Sequence, residues 1–347
     1  MTTRNTPVLA VSVGCPSGIG PEVAVRAAGR ADGIRCLLVG AEPVIRAAAR
    51  LRRVAQRRLV VVADATQLAD LERGQIGIWG PSHPLGESRP GKPNRAAGAA
   101  QLAWIDEACD LVAGGLCAGL VTGPVSKQVI AASGGRAARR FRGHTEHLGR
   151  RLGVERVTMA FWSDAFATSL VTTHLPLRRV ARAVTADGVM EATVRLVELI
   201  EALGRRSPRI MVAGLNPHAG EGGWLGNEET TCIAPGIAAA RRKLGRRRAA
   251  GLKGPLGAET AYRLAAAGEV DGVVAMYHDQ ATIPCKLLGF GEAVNVSLGL
   301  SIVRTSVDHG TAYDLAGTGR SSSRGMSEAL SLASQLASSS SNNRLKS

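Results

Sequence analysis

Short apolar runs, each closed by glycine, proline or a polar residue, alternate along this chain with stretches whose apolar residues recur at helical spacing. No other feature constrains the fold as much. Strands separated by helices build a mostly parallel sheet with helices packed on it, the α/β class. Residues 8–14, 36–40, 59–63, 120–122, 158–162, 169–173, 210–213, 270–277 and 294–296 read as strands, and 21–28, 43–52 and 189–203 as helices. Residues 74–95, rich in Gly, Pro and Ser, read as a linker or surface loop. A final helix is predicted over 326–336, and the serine-rich stretch 338–347 is predicted to be disordered. A chain of 347 residues with this pattern is expected to form two α/β lobes.

Composition removes several function classes. Aromatic residues are only 3% of the chain, so the core must rest on Ala, Val, Leu and Ile. No stretch approaches the roughly 20 apolar residues of a membrane span, and residues 1–7 lack the basic start and apolar region of a signal peptide. Cysteines at 15, 36, 109, 117, 232 and 285 form no Cys-x-x-Cys pair, which argues against a zinc knuckle or disulfide framework and fits a reducing cytoplasm. The net charge of +15 raises nucleic-acid binding, with the run 241–248 as its best support. Basic residues are spread along the whole chain without interleaved aromatics, so no nucleic-acid partner is expected, only a general attraction for anionic substrates.

Gly14-Cys15-Pro16-Ser17-Gly18-Ile19-Gly20-Pro21-Glu22 follows a predicted strand and opens a predicted helix. Such a loop lets backbone N–H groups approach a phosphate at a helix N-terminus, and Glu42 lies about where a dinucleotide fold carries its ribose-binding acid. The glycines, however, invert the G-x-G-x-x-G order, and Glu22 competes for the same helix dipole. A phosphate cradle and a tight strand-to-helix turn both remain open.

Three histidines close apolar runs: His174 after 170–173, His218 after 211–217 and His278 after 273–277. Ligands bind at the carboxyl ends of parallel strands, and three neutral imidazoles with an open position suit a catalytic divalent ion. Any one of them could equally be a hydrogen-bonded structural histidine. Lys286, Asn295 and Arg304 follow in apolar or glycine-rich surroundings, where a phosphate would satisfy them. His144 and Thr145 lie in a polar segment, 142–146, that also reads as a simple turn.

These segments fall in a recognisable order. They are Gly18-Ile19-Gly20-Pro21-Glu22, Thr122-Gly123-Pro124-Val125-Ser126-Lys127, Gly143-His144-Thr145-Glu146 and Thr172-Thr173-His174-Leu175-Pro176-Leu177. The stretch from Gly214 to Gly223 follows, then Tyr277-His278-Asp279-Gln280, Asn295 to Leu300, and Arg304 to Ala312. Over residues 8–317 the chain resembles the 4-hydroxythreonine-4-phosphate dehydrogenase family of pyridoxal phosphate biosynthesis.

That resemblance implies a two-lobed fold like that of isopropylmalate and isocitrate dehydrogenases, with the active site in the cleft between lobes. Residues 1–135 and 288–325 would form the cofactor-side lobe, 136–287 a central lobe carrying metal ligands and a homodimer interface, and 326–347 a terminal helix and tail. By matching position, His174, His218 and His278 would hold one divalent ion (Zn, Mg, Co or Mn), with His278 reaching into the partner's site. His144, Thr145, Lys286, Asn295 and Arg304 would bind a phosphorylated substrate. His309, Gly310, Thr311 and Ala312 are similar to the superfamily's loop for NAD or NADP. Lys127 and Asp279 are candidates for acid/base work, against roles as a helix-start cation and a partner orienting a metal ligand.

The implied reaction is oxidation of 4-phosphooxy-L-threonine to a 3-oxo acid that loses CO₂ to give 3-amino-2-oxopropyl phosphate. Relatives act on 4-phospho-threonate, 4-phospho-erythronate or aromatic cis-dihydrodiol carboxylates. Cys15 where the family has an acid, Glu259 for Asp, and Trp224-Leu225 for His-Met would be compatible with such a change of substrate. A metal-dependent phosphate-ester hydrolase and a basic, non-catalytic binding protein are the alternatives of other classes.

Overall fold

The structure is a computed structural model that describes residues 7–80, 85, 87–288 and 293–344, the last five of these as backbone only. The chain divides into two compact units, Met1–Glu155 with Leu300–Ser347, and Arg156–Gly299. Among the described residues no helix is long and apolar enough to cross a membrane.

The first unit begins with β1 (Val8–Ser12), buried throughout, and α1 (Gly20–Arg30). Pro21 pre-sets the first turn of α1, Glu22 lies in that turn and Arg30 in the last, which matches the helix dipole at both ends. β2 (Arg35–Val39), α2 (Glu42–Leu51), β3 (Leu59–Val62), α3 (Ala65–Ala69) and β4 (Ile76–Trp79) follow. Then come α4 (Arg95–Ala113), β5 (Gly119–Thr122), α5 (Lys127–Ser133), α6 (Arg136–Arg139) and α7 (His144–Arg151). Asn94 caps α4 by accepting from the Ala97 N–H, and Ser126 caps α5 by accepting from Val129.

The second unit contains β6 (Thr158–Trp162), β7 (Ala167–Leu170), α8 (Leu177–Ala183), α9 (Ala186–Ala202), β8 (Ile210–Ala213) and α10 (Ala234–Arg248). It closes with β9 (Leu252–Leu256), α11 (Ala258–Ala266), β10 (Gly272–Ala275), α12 (His278–Leu288) and β11 (Val294–Leu298). Its strands run in the order β11-β6-β7-β10-β8-β9. β7, β10, β8 and β9 are parallel, while β6 is antiparallel to both of its neighbours. A core of Phe161, Phe166, Leu170, Met211, Tyr262 and Val273 packs within it.

The chain then returns to the first unit with β12 (Arg304–Val307) and α13 (Arg324–Arg344). The first unit's order is β3-β4-β2-β1-β5-β12, parallel throughout.

Three readings are corrected here. Residues 74–95 contain strand β4, hidden in the sequence by Gly77, which is there because a Cβ would come within 2.7 Å of Leu37 Cδ1. The units divide at 155/156 and 299/300, not at 135/136 and 287/288. α7 stays with the first unit because His147 and Arg151 bond Asp106 and Asp110 of α4 at 2.5 Å each, and β11 stays with the second because it pairs with β6. The stretch 338–344 is helical as the continuation of a helix anchored by buried Met326, Leu330 and Leu332, and within it the Ser338 and Ser339 hydroxyls satisfy themselves on carbonyls one turn back. Residues 345–347 lie outside the described residues.

Candidate active site

Strands β7, β10 and β8 are adjacent and parallel, so the loops leaving their carboxyl ends are neighbours. His174 and His218 lie on the loops after β7 and β8, and His278 is the first residue of α12. The loops are cross-tied through backbone groups. Thr172 donates from both its N–H (3.1 Å) and its Oγ1 (2.8 Å) to the Met276 carbonyl, joining the β7 loop to the β10 loop. Gln280 accepts from the Met276 N–H at 2.6 Å and donates to the Gly214 carbonyl at 2.9 Å, joining the β10 loop to the β8 loop.

The result is that the His174 and His278 rings lie 5.3 Å apart. His278 Nδ1 is 2.7 Å from Asp279 Oδ1, a contact that fixes the imidazole's orientation and leaves Nε2 as its other ring nitrogen. Asp279 thus has the geometry of an orienting partner. His218 opens a run of left-handed residues through Gly222 and takes a different course. Among the described residues no three His, Cys, Asp or Glu side chains are gathered to hold a metal, so the predicted trio is present here as a pair. A pair of imidazoles with a carboxylate on one still fits the chemistry of a divalent-metal site.

Sequence reasoning missed Glu229, which holds the His218 loop. It is buried, and its Oε1 accepts from the N–H groups of Leu215 and Asn216 at 2.8 Å each, while Oε2 accepts from Asn216 Nδ2 at 3.0 Å. Burial alone would raise its pKa, but the hydrogen bonds from Asn216 and Leu215 outweigh burial and hold the carboxyl below its ordinary range. Asp271 is held down in the same sense by Arg209. Both carboxyls have depressed folded-state values, so their stabilisation is complete at neutral pH and is lost as pH falls through the folded pKa. Glu229→Ala is expected to cost about 2 kcal/mol by stranding these donors. Thermal melts should show stability declining below about pH 4, less steeply in Glu229→Gln and Asp271→Asn. Melts with the wild-type slope in both variants would refute the assignment.

In the second unit Lys286 is exposed on α12, eight residues or about 12 Å along the helix from His278, and Asn295 lies in β11 opposite Phe161. The first unit supplies a separate cluster. Arg304, the first residue of β12, is 2% exposed and donates to Thr122 Oγ1 at the end of β5 at 2.6 Å. Burial draws its pKa down to about 9, which leaves a cation at neutral pH, and the nearby Glu146 carboxylate supports that charge.

His144 and buried Thr145 open α7 directly beside this cation. His144 Nε2 is enclosed without a hydrogen-bond partner, and its pKa is driven well down by burial and by Arg304, His147 and Lys127, so the imidazole is neutral. The amine of Lys127 reaches this cluster from the start of α5, with Nζ 3.7 Å from a Cβ built on Gly143. Within one unit the fold therefore gathers Arg304, His144, Thr145 and Lys127, three of them nominated for substrate and one for acid/base work.

Two further sequence features have definite surroundings in the fold. Glu42, at the dinucleotide-acid position, pairs with Arg46 at 2.6 Å one turn along α2 and has a structural role. The loop of His309, Gly310, Thr311 and Ala312 follows β12. Its His309 Nδ1 donates to the Gly310 carbonyl at 3.1 Å, and Nε2 is buried without a partner, which fits a loop that holds a polar cofactor.

The model of the family described as pyridoxal phosphate biosynthetic protein PdxA matches residues 33–333. The chain belongs to the PdxA family. Its class follows with the family: an oxidoreductase of pyridoxal phosphate biosynthesis. A PdxA relative, the 4-hydroxythreonine-4-phosphate dehydrogenase of Desulfosudis oleivorans, is 40% identical over 331 residues, 94% of this chain and 95% of that one. The solved structure of the Klebsiella pneumoniae 4-hydroxythreonine-4-phosphate dehydrogenase is 32% identical with a TM-score of 0.81, covering 95% of this chain and 99% of that one. A terephthalate 1,2-cis-dihydrodiol dehydrogenase from Burkholderia xenovorans is also similar, at 28% identity and a TM-score of 0.66 over 95% and 98% of the two chains. The mixed α/β fold is thus that of PdxA structures.

Proposed function

We propose that this chain oxidises 4-hydroxythreonine 4-phosphate with NAD or NADP and a divalent metal, and that the 3-oxo product loses CO₂ to give 3-amino-2-oxopropyl phosphate. The observation that carries the substrate class is the enclosed Arg304 cation beside neutral His144 and Lys127, an arrangement suited to a phosphate dianion. Within the first unit Arg304 holds the phosphate, and His144 and Thr145 beside it orient the rest of the substrate; Lys286 and Asn295 of the second unit are further candidates for binding it. His174 and His278, with His218, hold the metal, a Zn, Mg, Co or Mn ion that when bound supplies Lewis acidity at the secondary hydroxyl. The loop 309–312 would hold the nicotinamide cofactor, which when bound would supply a hydride acceptor for the carbinol carbon, the hydroxyl proton passing to solvent. Lys127 Nζ delivers a proton to the carbon that loses CO₂, since Asp279 is engaged with His278. The finer fold, that of isopropylmalate and isocitrate dehydrogenases, and a cytoplasmic location complete the reading.

The test is NADH formation from a panel of phosphorylated and unphosphorylated hydroxy acids, with and without divalent metal. No NADH from any of them would discredit the reading. Turnover of a phosphate ester without NAD would favour a hydrolase instead. The similarity to a cis-dihydrodiol dehydrogenase gives a second reading, in which Arg304 holds a carboxylate and only unphosphorylated aromatic dihydrodiols react.

The reading includes a homodimer that shares the metal site. It is supported by the apolar face that α12 exposes directly after His278, with Ile283, Leu287 and Leu288 all more than half accessible. Leu287→Asp is expected to shift the protein from dimer to monomer in sedimentation velocity. A variant that sediments like wild type would count against this face as the interface.

A further inference from the structure

The glycine loop 14–20 invites a phosphate, yet three of its backbone donors are already engaged inside the first unit. The Cys15 N–H donates to the Pro124 carbonyl at 2.9 Å, Gly18 to Cys15 at 3.1 Å, and Ile19 to Thr311 at 3.0 Å. The last bond spans nearly the whole sequence and ends on the loop assigned above to the cofactor. Gly18 lies flat against the same residue: a Cβ there would fall 2.7 Å from Thr311 O and 3.1 Å from Thr311 Cβ.

The downstream part of that loop is gripped as well. Glu22 is 4% exposed, and its Oε1 accepts from the Gly317 N–H at 2.6 Å while Oε2 accepts from Ser321 Oγ at 3.5 Å. Arg52, whose charge burial disfavours and the Glu22 carboxylate supports, donates to the Gly319 carbonyl. The Tyr313 hydroxyl lies 3.5 Å from Cys15 Sγ and within reach of Ser126 and Thr311. Between these grips Ala312 is held at φ +40, a left-handed conformation that a non-glycine residue keeps only when its surroundings enforce it.

We propose that the glycine loop and Glu22 are positioning elements for the cofactor: they brace residues 309–321 in the conformation that binds the dinucleotide and do not touch it themselves. The inference rests on the assignment of 309–312 to the cofactor. A loop pre-set in its bound shape has less ordering to do on binding, so the brace acts on NAD affinity and leaves the phosphorylated substrate alone. This also accounts for the inverted glycine order. Gly18 is required by close approach to Thr311, not by a pyrophosphate.

The test compares Glu22→Ala, Glu22→Gln and Gly18→Ala in the full chain, using hydrogen–deuterium exchange over 309–321 and NAD titration without substrate. Glu22→Ala and Gly18→Ala should speed exchange in that segment and weaken NAD on the order of tenfold, with the substrate KM within about twofold. Glu22→Gln keeps an acceptor for the Gly317 N–H and should restore most of the affinity. Unchanged exchange in both disruptive variants, or faster exchange with unchanged NAD affinity, would overturn the proposal. So would equal losses of NAD and substrate binding, the pattern of general misfolding. His309→Ala separates the two layers: if it leaves NAD affinity untouched, the cofactor assignment fails, while the exchange data still report whether the brace exists.

Discussion

Alanine at His174 or at His278 is expected to reduce NADH formation by about a thousandfold or more, because in the proposed function each would donate to the ion that activates the substrate hydroxyl. The folded state should scarcely notice. His174 is exposed and His278 about one-third exposed, so neither truncation opens a core cavity, and melting temperatures should stay near wild type. Asp279→Asn should be milder, roughly 10–100-fold, since it leaves the ligand and removes only the carboxylate that orients it. His218 lies on the neighbouring loop but outside the pair, and His218→Ala discriminates between a trio completed on binding and a true two-histidine site. Metal content by atomic emission should fall in step with activity. A His278→Ala protein that retained metal and activity within about tenfold of wild type would sink the metal assignment.

The sequence made the type of chemistry legible, but not the devices that arrange it. Buried parallel strands such as Val8–Ser12 and Gly272–Ala275 announce themselves as apolar runs, which is why the α/β pattern could be read directly. The strands that were overlooked carry polar or breaking residues for local reasons. β9 contains Lys253, Gly254 and Pro255 at a sheet edge, and β12 buries Arg304 and Thr305, whose polarity is absorbed by Thr122 and the Ala329 carbonyl. The histidines stood out as a residue type at strand ends. Thr172, Gln280 and Glu229 did not, because each acts on a backbone group of a distant loop, and no spacing rule exposes such a partner. At Glu42 and the glycine loop a familiar spacing suggested a dinucleotide while the inverted glycine order spoke against it, and local pairing and close packing explain the residues. Beside Arg304 the fold adds His144 and Lys127, residues far from it in sequence that no spacing rule would have joined to it.

Replacing Arg304 by methionine will separate binding from folding more cleanly than any other substitution in this chain. Methionine has a similar length and no charge, so it fills the enclosed site without the desolvation cost of a buried guanidinium. Among its losses are the bond to Thr122 Oγ1 and the attraction to Glu146. Stability is therefore expected to fall by about 1–3 kcal/mol, because Thr122 Oγ1 and the Glu146 carboxylate each lose a partner. Activity should fall much further. A charge-assisted, two-pronged contact to a phosphate in an enclosed site is worth several kcal/mol, so kcat/KM for the phosphorylated substrate should fall about 100–1,000-fold. Lysine keeps the charge and loses the fork, and should recover only part of that loss. The decisive comparison is with the same hydroxy acid lacking its phosphate, measured as substrate or as competitor: Arg304→Met should change its binding by less than about threefold. Equal losses for the two ligands would instead place Arg304 on a carboxylate common to both, and a phosphate contact would then have to be sought at Lys127 or Lys286.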